Sequence, residues 1–397
     1  MKYRTLFKTL WNHLSKKQIT LLVGARQTGK TTLMQQMQSK LENEEKRTFF
    51  ISLEDPEILK LLDDHPRNLF QIIPPFNNNK KVILFLDEIQ YLSNPTNFLK
   101  YHYDLNQDSI KFVVSGSSAF YIDEKFKDSL AGRKRIFILP TLTFEEFLIF
   151  KNRGEISSFI NSGSIPEIYK LELQKWLNEY LLFGGYPEVV VEEELSEKKL
   201  ILKEIADSYI KKDALEANIR YPDMYCKILK ILSSRKGLFN SNNIAKHLKI
   251  KYQTINTYVK LMESSFHITK ILPFYRNVEK ELRKMPKIYL NDLGLRNYFL
   301  GNFEPISLRN DRGELLENFV FRRFYDFYSV DDIRFWRTQK KQEVDFIIQE
   351  SKAYEVKFSK KTFNPQKYSY FKKKYTDLSF NLIHFDNVLE INLKPKQ

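Results

Sequence analysis

The chain has 397 residues, 42% hydrophobic and 14% aromatic, which predicts two or three folded domains and excludes a largely disordered protein. Its single cysteine, Cys226, excludes an intramolecular disulfide framework and a paired-cysteine zinc site, and no apolar run suits a membrane span or a signal peptide, so a cytoplasmic protein is expected. The net charge of +15 lies in residues 210–397, which hold 36 Lys and Arg against 21 Asp and Glu; this favours DNA as a partner, the alternative being a lysine-rich composition without such a role.

The first predicted strand, Ile19 to Val23, leads into a phosphate-binding loop. Residues 24–31 match G-x-x-x-x-G-K-[ST], and residues 31–41 have helical spacing. In this motif the backbone N–H groups bind phosphates at a helix N-terminus, the lysine reaches the β- and γ-phosphates, and the final hydroxyl binds Mg²⁺. The residues predicted to bind ATP are Gly24, Ala25, Arg26, Gln27, Thr28, Gly29, Lys30, Thr31 and Thr32.

A second strand is predicted from Thr48 to Leu53, and a third in residues 81–88, KVILFLDE. The continuous apolar run of the third strand is typical of a central parallel strand covered on both faces. Asp87 at its end is predicted to bind Mg²⁺ with Thr31, and Glu88 to orient the attacking water. An acid pair of this kind favours ATP hydrolysis over passive nucleotide binding.

The next predicted strand, Ile110 to Val114, is followed by Ser115 and Ser117. Either serine could contact the γ-phosphate or the water, and the sequence does not choose between them. Arg133, before a strand at 136–139, is a candidate γ-phosphate-sensing arginine, a role worth about 10³–10⁵ in rate. The alternative is a solvated basic loop.

These segments resemble a family of archaeal and bacterial AAA-type ATPases that carry a winged helix and a restriction-endonuclease-like C-terminal domain. The matching segments are GARQTGKTT, FLDEIQ, SGSS, LAGR with LPTLTFEEF, YLLFGGYPEVV, GELLENF, WRT, EVDFII and YEVK. The resemblance implies an ATPase core and makes a homo-oligomer plausible. It defines no substrate and no protein partner, and leaves open whether Arg133 acts within its own subunit or on a neighbour.

The expected fold class is α/β, with four regions along the chain. The predicted regions are a P-loop AAA-type ATPase domain at 1–150, a helical lid or connector at 151–215, a winged helix-turn-helix at 216–300 and a PD-(D/E)XK nuclease-like domain at 301–397. Within the connector, a helix is predicted to end at Gly184 and the next to continue to about Asp213.

Three predicted helices, 224–233, 242–248 and 252–264, precede two strands at 267–272 and 287–290. Spacing on the third helix places Ile255, Val259 and Met262 toward the core. The residues then left outside, able to meet DNA, are Gln253, Thr254, Asn256, Thr257 and Lys260. Arg276, Lys280, Arg283 and Lys284 lie between the two strands. The alternative use of such a winged helix is domain packing or protein contact.

The last region is predicted to hold a helix, 313–328, and strands at 333–338, 343–349 and 353–358. Glu317 on the helix, Asp345 and Glu355 on the strands and Lys357 follow the order of a PD-(D/E)XK nuclease. In such a site the carboxylates bind Mg²⁺ and the lysine activates water or steadies the phosphate. The alternatives are a decayed site and an ordinary solvated sheet face.

The sequence therefore predicts a Mg²⁺-dependent ATPase, with ATP and Mg²⁺ as cofactors, coupled to DNA binding. Two alternatives stay open. One is a nucleotide-dependent regulatory switch with an inactive nuclease-like domain, and the other is a metal-dependent nuclease gated by ATP. Neither the DNA structure recognised nor the pathway follows from the sequence.

Overall fold

The computed structural model describes residues 2, 4–73, 81–116, 130–208, 219, 221–234, 237–275, 284–391 and 393. The chain divides into two compact units. Residues 1–140 and 264–266 form the first, and residues 141–263 and 267–397 form the second. No helix within the described residues is long and apolar enough to cross a membrane.

The described elements of the first unit are α1 (Leu6–His13), β1 (Ile19–Val23), α2 (Lys30–Asn43), β2 (Thr48–Ser52), α3 (Pro56–Asp64), α4 (Leu69–Ile72), β3 (Val82–Asp87), α5 (Pro95–Asn106), β4 (Ile110–Gly116) and β5 (Lys134–Ile138). The second unit begins with helices, which are α6 (Phe144–Phe150), α7 (Gly154–Ser162), α8 (Glu167–Phe183), α9 (Pro187–Val191), α10 (Leu195–Ser208), α11 (Pro222–Ser234), α12 (Ser241–Leu248) and α13 (Tyr252–Ser264). It continues with β6 (Ile268–Pro273), β7 (Lys287–Leu290), α14 (Leu293–Leu300), α15 (Arg312–Phe327), β8 (Ile333–Arg337), β9 (Glu343–Ile348), β10 (Lys352–Val356), α16 (Ser369–Lys374) and β11 (Ser379–Ile383).

The first unit is built on a five-stranded sheet in the order β2-β3-β4-β1-β5, in which all neighbours run parallel. The predicted strands are confirmed within one or two residues at each end. Two apolar clusters cover the sheet, one including Leu21 and Leu86 and the other Leu22 and Phe85. Alternate residues of a strand point to opposite faces, so burial on both sides explains the continuous apolar runs.

The second unit contains a six-stranded sheet in the order β11-β10-β9-β8-β6-β7. The two strands predicted to follow the three helices pair with each other, antiparallel, with Ile268 opposite Leu290. However, β6 also pairs in parallel with β8, where Leu272 lies opposite Arg334. The strands after α13 therefore belong to the same sheet as those of the C-terminal region, a continuity that sequence patterns did not predict.

Two glycine-containing segments, around residues 184–185 and 292–294, pack closely together in the second unit. Asp292 accepts hydrogen bonds from the backbone N–H groups of Gly185, at 2.9 Å, and Leu295, at 3.0 Å, and so caps α14. A Cβ atom on Gly184 would collide with the Asp292 carboxylate and the Gly294 backbone, and Gly184 also has a φ of +73°. This close approach explains Gly184, whereas a Cβ atom on Gly185 would collide with the Leu142 carbonyl.

The prediction of a single helix after Gly185, continuing to about Asp213, is wrong. The structure has two helices, α9 and α10, and residues 209–213 lie outside the described residues. Glu192 ends α9 in an extended conformation, with ψ of 144°. Its carboxylate accepts the backbone N–H groups of Glu193 and Glu194 at 2.6 and 2.8 Å. The break thus coincides with a local alternative to the helical hydrogen bonds.

The third predicted helix, α13, has the expected orientation. Ile255, Val259 and Met262 are buried in the second unit. The outward residues are exposed at Gln253, Asn256, Thr257 and Lys260 and half-buried at Thr254. The polar face of α13 is therefore accessible in this unit.

Asp311, in the loop before α15, makes the stability of the second unit depend on pH. Burial alone would raise the pKa of Asp311, but hydrogen bonds and charges from Arg309 and Arg296 outweigh it and lower the pKa from 3.8 to about 2. Arg309 Nη2 donates to Asp311 at 2.7 Å and Arg296 Nη1 at 2.9 Å. Because the folded-state pKa is depressed, the ionised carboxylate stabilises the fold above about pH 4, and this stabilisation is lost as the pH falls through about 2.

We expect Asp311→Asn to lower the free energy of unfolding by about 1.5–3 kcal/mol at pH 7, as for hydrogen bonds between charged groups. Urea titrations between pH 7 and pH 2 would measure it. The difference from wild type should shrink as the pH falls, and a difference of the same size at every pH would contradict the assignment.

Candidate functional site

The loop between β1 and α2 curls around the N-terminus of α2. Gln27 and Gly29 both adopt positive φ, 59° and 90°, and Gly29 is the residue immediately before the helix. Thr28 is buried, and its Oγ1 donates to the carbonyl of Ala25 at 2.9 Å. This is the backbone form in which N–H groups and the helix dipole attract phosphate. The structure thus gives residues 24–29 the geometry expected for a nucleotide site.

Lys30, at the first position of α2, is only 5% exposed. Its Nζ donates to the carbonyls of Gly24 and Ala25 at 3.1 and 3.0 Å, so the ammonium lies against the loop that would hold phosphates. Gly24 has no room for a side chain, because a Cβ atom would collide with the Leu139 carbonyl after β5. Arg4 braces the loop from the chain start, since Nη1 donates to the Thr28 carbonyl at 2.9 Å.

Oxygen ligands converge where β3 and β4 end. Thr31 Oγ1 donates to Asp87 Oδ2 at 2.7 Å, and Ser115 Oγ donates to the other oxygen of the same carboxylate. Ser115 also accepts the backbone N–H of Glu88 at 2.9 Å. A hydroxyl and a carboxylate beside a phosphate loop are the hard oxygen donors that Mg²⁺ prefers, so these residues fit that ion.

Glu88 follows β3 in a left-handed backbone conformation, with φ of 58° and ψ of 53°. Such a conformation costs a non-glycine residue roughly 1–3 kcal/mol and is concentrated at functional sites. The Gln90 amide donates to Glu88 Oε2 and holds the carboxylate. Glu88 is therefore fixed in direction by its backbone and by a neighbouring side chain.

Arg133 lies at the other end of the sheet from the P-loop. Its carbonyl accepts the backbone N–H of Ile19 at 2.8 Å, at the start of β1, whereas the P-loop follows the end of β1. A five-residue strand spans roughly 16 Å. The Arg133 Nε donates to Asp104 at 2.8 Å. Within one chain, the structure does not bring Arg133 to the P-loop, and Ser117 lies outside the described residues.

The second unit brings the predicted nuclease carboxylates close together. Burial raises the pKa of Asp345 well above its usual range, and the charges of Glu317 and Glu355 raise it further. Asp345 Oδ2 accepts the backbone N–H of Val356 at 2.8 Å. Lys357 Nζ donates to Glu355 Oε1, so the E-x-K pair shares one face as the spacing predicted.

An unpredicted cation, Lys287 on β7, lies among these carboxylates. Its Nζ is 3.0 Å from Glu317, 2.6 Å from Glu343 and 3.5 Å from Asp345, and the Tyr289 hydroxyl donates to Glu317 at 2.6 Å. Burial alone would lower the pKa of Lys287, but the neighbouring charges, Glu317 foremost, raise it well above its usual range.

We define Lys287, Glu317, Glu343 and Asp345 as the lysine–carboxylate cluster. Among the described residues, no group of three or more His, Cys, Asp or Glu side chains has a metal-binding arrangement. The cluster as it stands does not fit Mg²⁺, because the Lys287 ammonium lies 2.6–3.5 Å from the carboxylate oxygens that the metal would need and would have to be displaced.

Family models match three stretches of the chain. Residues 16–148 match "AAA domain", and residues 174–305 and 312–392 match two domains of unknown function, DUF8612 and DUF4143. The first match covers the P-loop and the ends of β3 and β4. The first unit therefore carries a P-loop AAA-type ATP-binding domain.

Two uncharacterized proteins of Methanocaldococcus jannaschii match most of the chain. MJ1544 is 30% identical over 345 residues, covering 84% of this chain and 73% of that protein. MJ1637 is 27% identical over 353 residues, with the same coverage. This chain belongs to the same family as MJ1544.

Among solved structures, this family member is similar to the Aeropyrum pernix ORC2 protein in its ADP form. The identity is 15%, covering 67% of this chain and 85% of that chain, with a TM-score of 0.34. A likeness at that TM-score defines neither the detailed fold nor the activity of this family.

Sequence inspection missed three residues that shape these sites, namely Arg4, Gln90 and Lys287. Arg4 is 24 positions from its loop partner and carries no motif. Gln90 lies two residues after Glu88, so its nearness gave a weak signal. Lys287 opens an otherwise apolar strand, and a lone buried charge there could have suggested a carboxylate partner.

Proposed function

We propose that this protein is a Mg²⁺-dependent ATPase that couples its nucleotide state to DNA. The observation that carries the proposal is the convergence of Lys30, Thr31, Asp87, Ser115 and Glu88 at one edge of the parallel sheet. A P-loop lysine, two Mg²⁺ ligands and a water-orienting carboxylate are the parts that phosphoryl transfer requires.

Each part has an assigned role in this proposal. Backbone N–H groups of the P-loop and the Lys30 ammonium hold the phosphates of ATP. Thr31 and Asp87 hold Mg²⁺, which neutralises phosphate charge when it is bound. Ser115 orients Asp87 and the Glu88 backbone, and Glu88 positions the attacking water. Arg133 is assigned to the γ-phosphate of a neighbouring copy in a homo-oligomer, since it does not meet its own P-loop.

The DNA part of the proposal rests on the second unit. Helices α11, α12 and α13, followed by the antiparallel β6 and β7, support a winged helix-turn-helix, with a further bridge between Leu238 and Lys287. The exposed face of α13 carries amides, hydroxyls and Lys260, the side chains that meet phosphates and base edges. The domains at 1–150, 151–215, 216–300 and 301–397 remain part of this proposal.

A second candidate function is a nucleotide-dependent switch whose nuclease-like domain is inactive. The specific observation in its favour is the lysine–carboxylate cluster. There the Lys287 ammonium contacts the carboxylates that would otherwise bind a metal ion. The sheet of β8, β9 and β10 with Glu317 on α15 is then a nuclease-like fold serving as a binding module. Metal-dependent cleavage, with Glu355 and Lys357 taking part, is the rival use of the same fold.

Steady-state ATP hydrolysis with and without duplex or branched DNA tests the coupling. We expect stimulation by DNA, with affinity that falls with salt at a log–log slope of about −0.9 per phosphate contact. Lys260→Ala should weaken duplex binding across sequences and reduce that slope by about 1. The matched control is Lys230→Ala, an exposed lysine on α11, which should change neither.

Hydrolysis that ignores DNA, together with an oligomer size that follows the bound nucleotide, would overturn the DNA proposal and support the switch. Equal losses in Lys260→Ala and Lys230→Ala would show that only general charge attracts DNA. That outcome would remove α13 from the proposed interface.

A further inference from the structure

A cavity of about 810 Å³ opens in the second unit, beside the turn between β8 and β9 and beside α16. Its lining includes three aromatic residues, Tyr275, Trp336 and Tyr370, and the lysines Lys284, Lys340 and Lys374. Arg337 adds a further cation, and no carboxylate is among the described lining residues. We call this cavity the aromatic–lysine pocket. None of its described lining residues belongs to α13 or to the P-loop.

Two neighbouring aromatic side chains of the pocket, Trp336 and Tyr370, differ in exposure. Trp336 is only 2% exposed and packs against Phe371, with ring centroids 4.9 Å apart at 66°. Tyr370 is 49% exposed, and its ring centre is 6.2 Å from that of Trp336. An exposed ring held beside a rigid one is a surface on which a planar group can stack. The pocket therefore favours a ligand with an aromatic base.

All the charged side chains among the described lining residues are positive. Within the described residues, no carboxylate pairs with Lys284, Lys340 or Lys374, and all three are exposed. Arg337 differs, because its Nη1 donates to Glu343 at 2.7 Å. Three exposed ammonium groups beside aromatic rings attract an anion more strongly than a neutral ligand. Lysines also contact phosphate as point charges, without demanding a fixed geometry.

The volume of the aromatic–lysine pocket limits the size of the ligand that it can hold. Pockets of about 300–1,000 Å³ enclose drug-sized ligands, so 810 Å³ holds one or two nucleotide units but not a double helix. Stacked bases with phosphates along a cationic rim are the contacts by which single strands bind without sequence preference. An acidic peptide would satisfy the lysines but would leave the exposed ring unused.

We propose that the aromatic–lysine pocket binds single-stranded nucleic acid, with a base stacked on Tyr370 and phosphates on Lys284, Lys340 and Lys374. The site is separate from the α13 face proposed for duplex DNA, and it does not depend on that proposal. It gives the protein a nucleic-acid contact specific for unpaired bases.

Fluorescence anisotropy of labelled oligothymidylate with the full-length protein at low salt tests the proposal. Tyr370→Ala should weaken binding about 5- to 150-fold, as expected for one lost base–aromatic stack. Tyr370→Phe keeps the ring and should bind within about twofold of wild type. Because Tyr370 is exposed, thermal melting of both variants should match wild type.

Lys374→Glu should also weaken binding and flatten its salt dependence. The matched control is Lys373→Glu, the preceding exposed lysine on α16, which does not line the pocket and makes the same change in net charge. Equal losses in these two variants, or wild-type binding by Tyr370→Ala, would overturn the proposal.

Competition identifies the source of the ligand. Oligouridylate competing as well as oligothymidylate supports single-stranded nucleic acid in general. Competition by AMP or by polyglutamate at equal phosphate or carboxylate concentration would overturn the proposal in favour of a nucleotide or acidic-peptide site. Lys260→Ala should leave oligothymidylate binding unchanged, so failure of the duplex proposal and failure of this one give different results.

Discussion

Lys30→Ala is expected to abolish ATP hydrolysis, with a loss of at least about 10²–10³ in turnover, as when one preorganised donor to a developing charge is removed. The reason is the position of Lys30 against the P-loop. The buried Lys30 ammonium contacts the carbonyls of Gly24 and Ala25, at the position where phosphates would compete for it. Steady-state phosphate release measures the loss, and a thermal melt checks that the fold is kept.

Glu88→Gln makes the same test sharper, because it separates binding from chemistry. The amide keeps the size of the side chain but cannot orient water as a carboxylate does, so ATP should still bind while hydrolysis is lost. The matched control for Lys30→Ala is Lys40→Ala, which removes an exposed lysine on the same helix. It should leave ATP binding and ATP hydrolysis unchanged. Wild-type turnover in Lys30→Ala would refute the ATPase assignment.

Lys287→Met should produce the largest change in stability. Removing the ammonium deprives Glu317 and Asp345 of a cation that lies 3.0 and 3.5 Å from them, whereas Glu343 keeps its ion pair with Arg337. Breaking a buried ion pair on one side costs about 3–5 kcal/mol, because the remaining charge stays buried and uncompensated. Urea unfolding would measure the loss in the free energy of unfolding.

The control for this variant is Lys270→Met, on the neighbouring strand. That lysine pairs with Glu263 at 2.8 Å but is partly exposed, so its removal should cost only about 0–1 kcal/mol. Equal effects of the two substitutions would show that the lysine–carboxylate cluster is not a buried counter-ion site.

Cleavage and metal-binding measurements on wild type and Lys287→Met distinguish the two functions proposed for the nuclease-like fold. If the cluster is an inactive site neutralised by Lys287, wild type should cleave neither duplex nor branched DNA, and Mn²⁺ should stabilise Lys287→Met more than wild type. If the site is a nuclease, Mg²⁺- or Mn²⁺-dependent cleavage should appear in wild type and disappear in Asp345→Ala and Lys357→Ala.

Local patterns were enough to predict the P-loop and the strand ends beside it. The P-loop, the end of β3 and the end of β4 are each encoded by residues within a few positions of one another. Parallel strands then bring their carboxyl ends to one side of the sheet. Thr31, in the first turn of α2, and Ser115, near the end of β4, both donate to Asp87 at the end of β3. Which of Ser115 and Ser117 meets the γ-phosphate stays a prediction, because Ser117 lies outside the described residues.

The outward face of α13 was equally predictable, because helical spacing alone separates Ile255 and Val259 from Lys260. The break between α9 and α10 was not, and it coincides with the Glu192 side chain taking two nearby backbone N–H groups. A continuous helical pattern does not exclude such a local competitor.

By itself, the sequence determined the phosphate loop, the parallel strands beside it, the E-x-K pair and the polar face of α13. Each follows from spacing along one element or from one local motif. Only the tertiary structure decided that Arg4 braces the P-loop, that Arg133 lies at the opposite edge of its own sheet, and that Lys287 enters the carboxylate cluster. These depend on contacts between residues distant in the chain, and no local periodicity encodes which distant charge will fill a buried site.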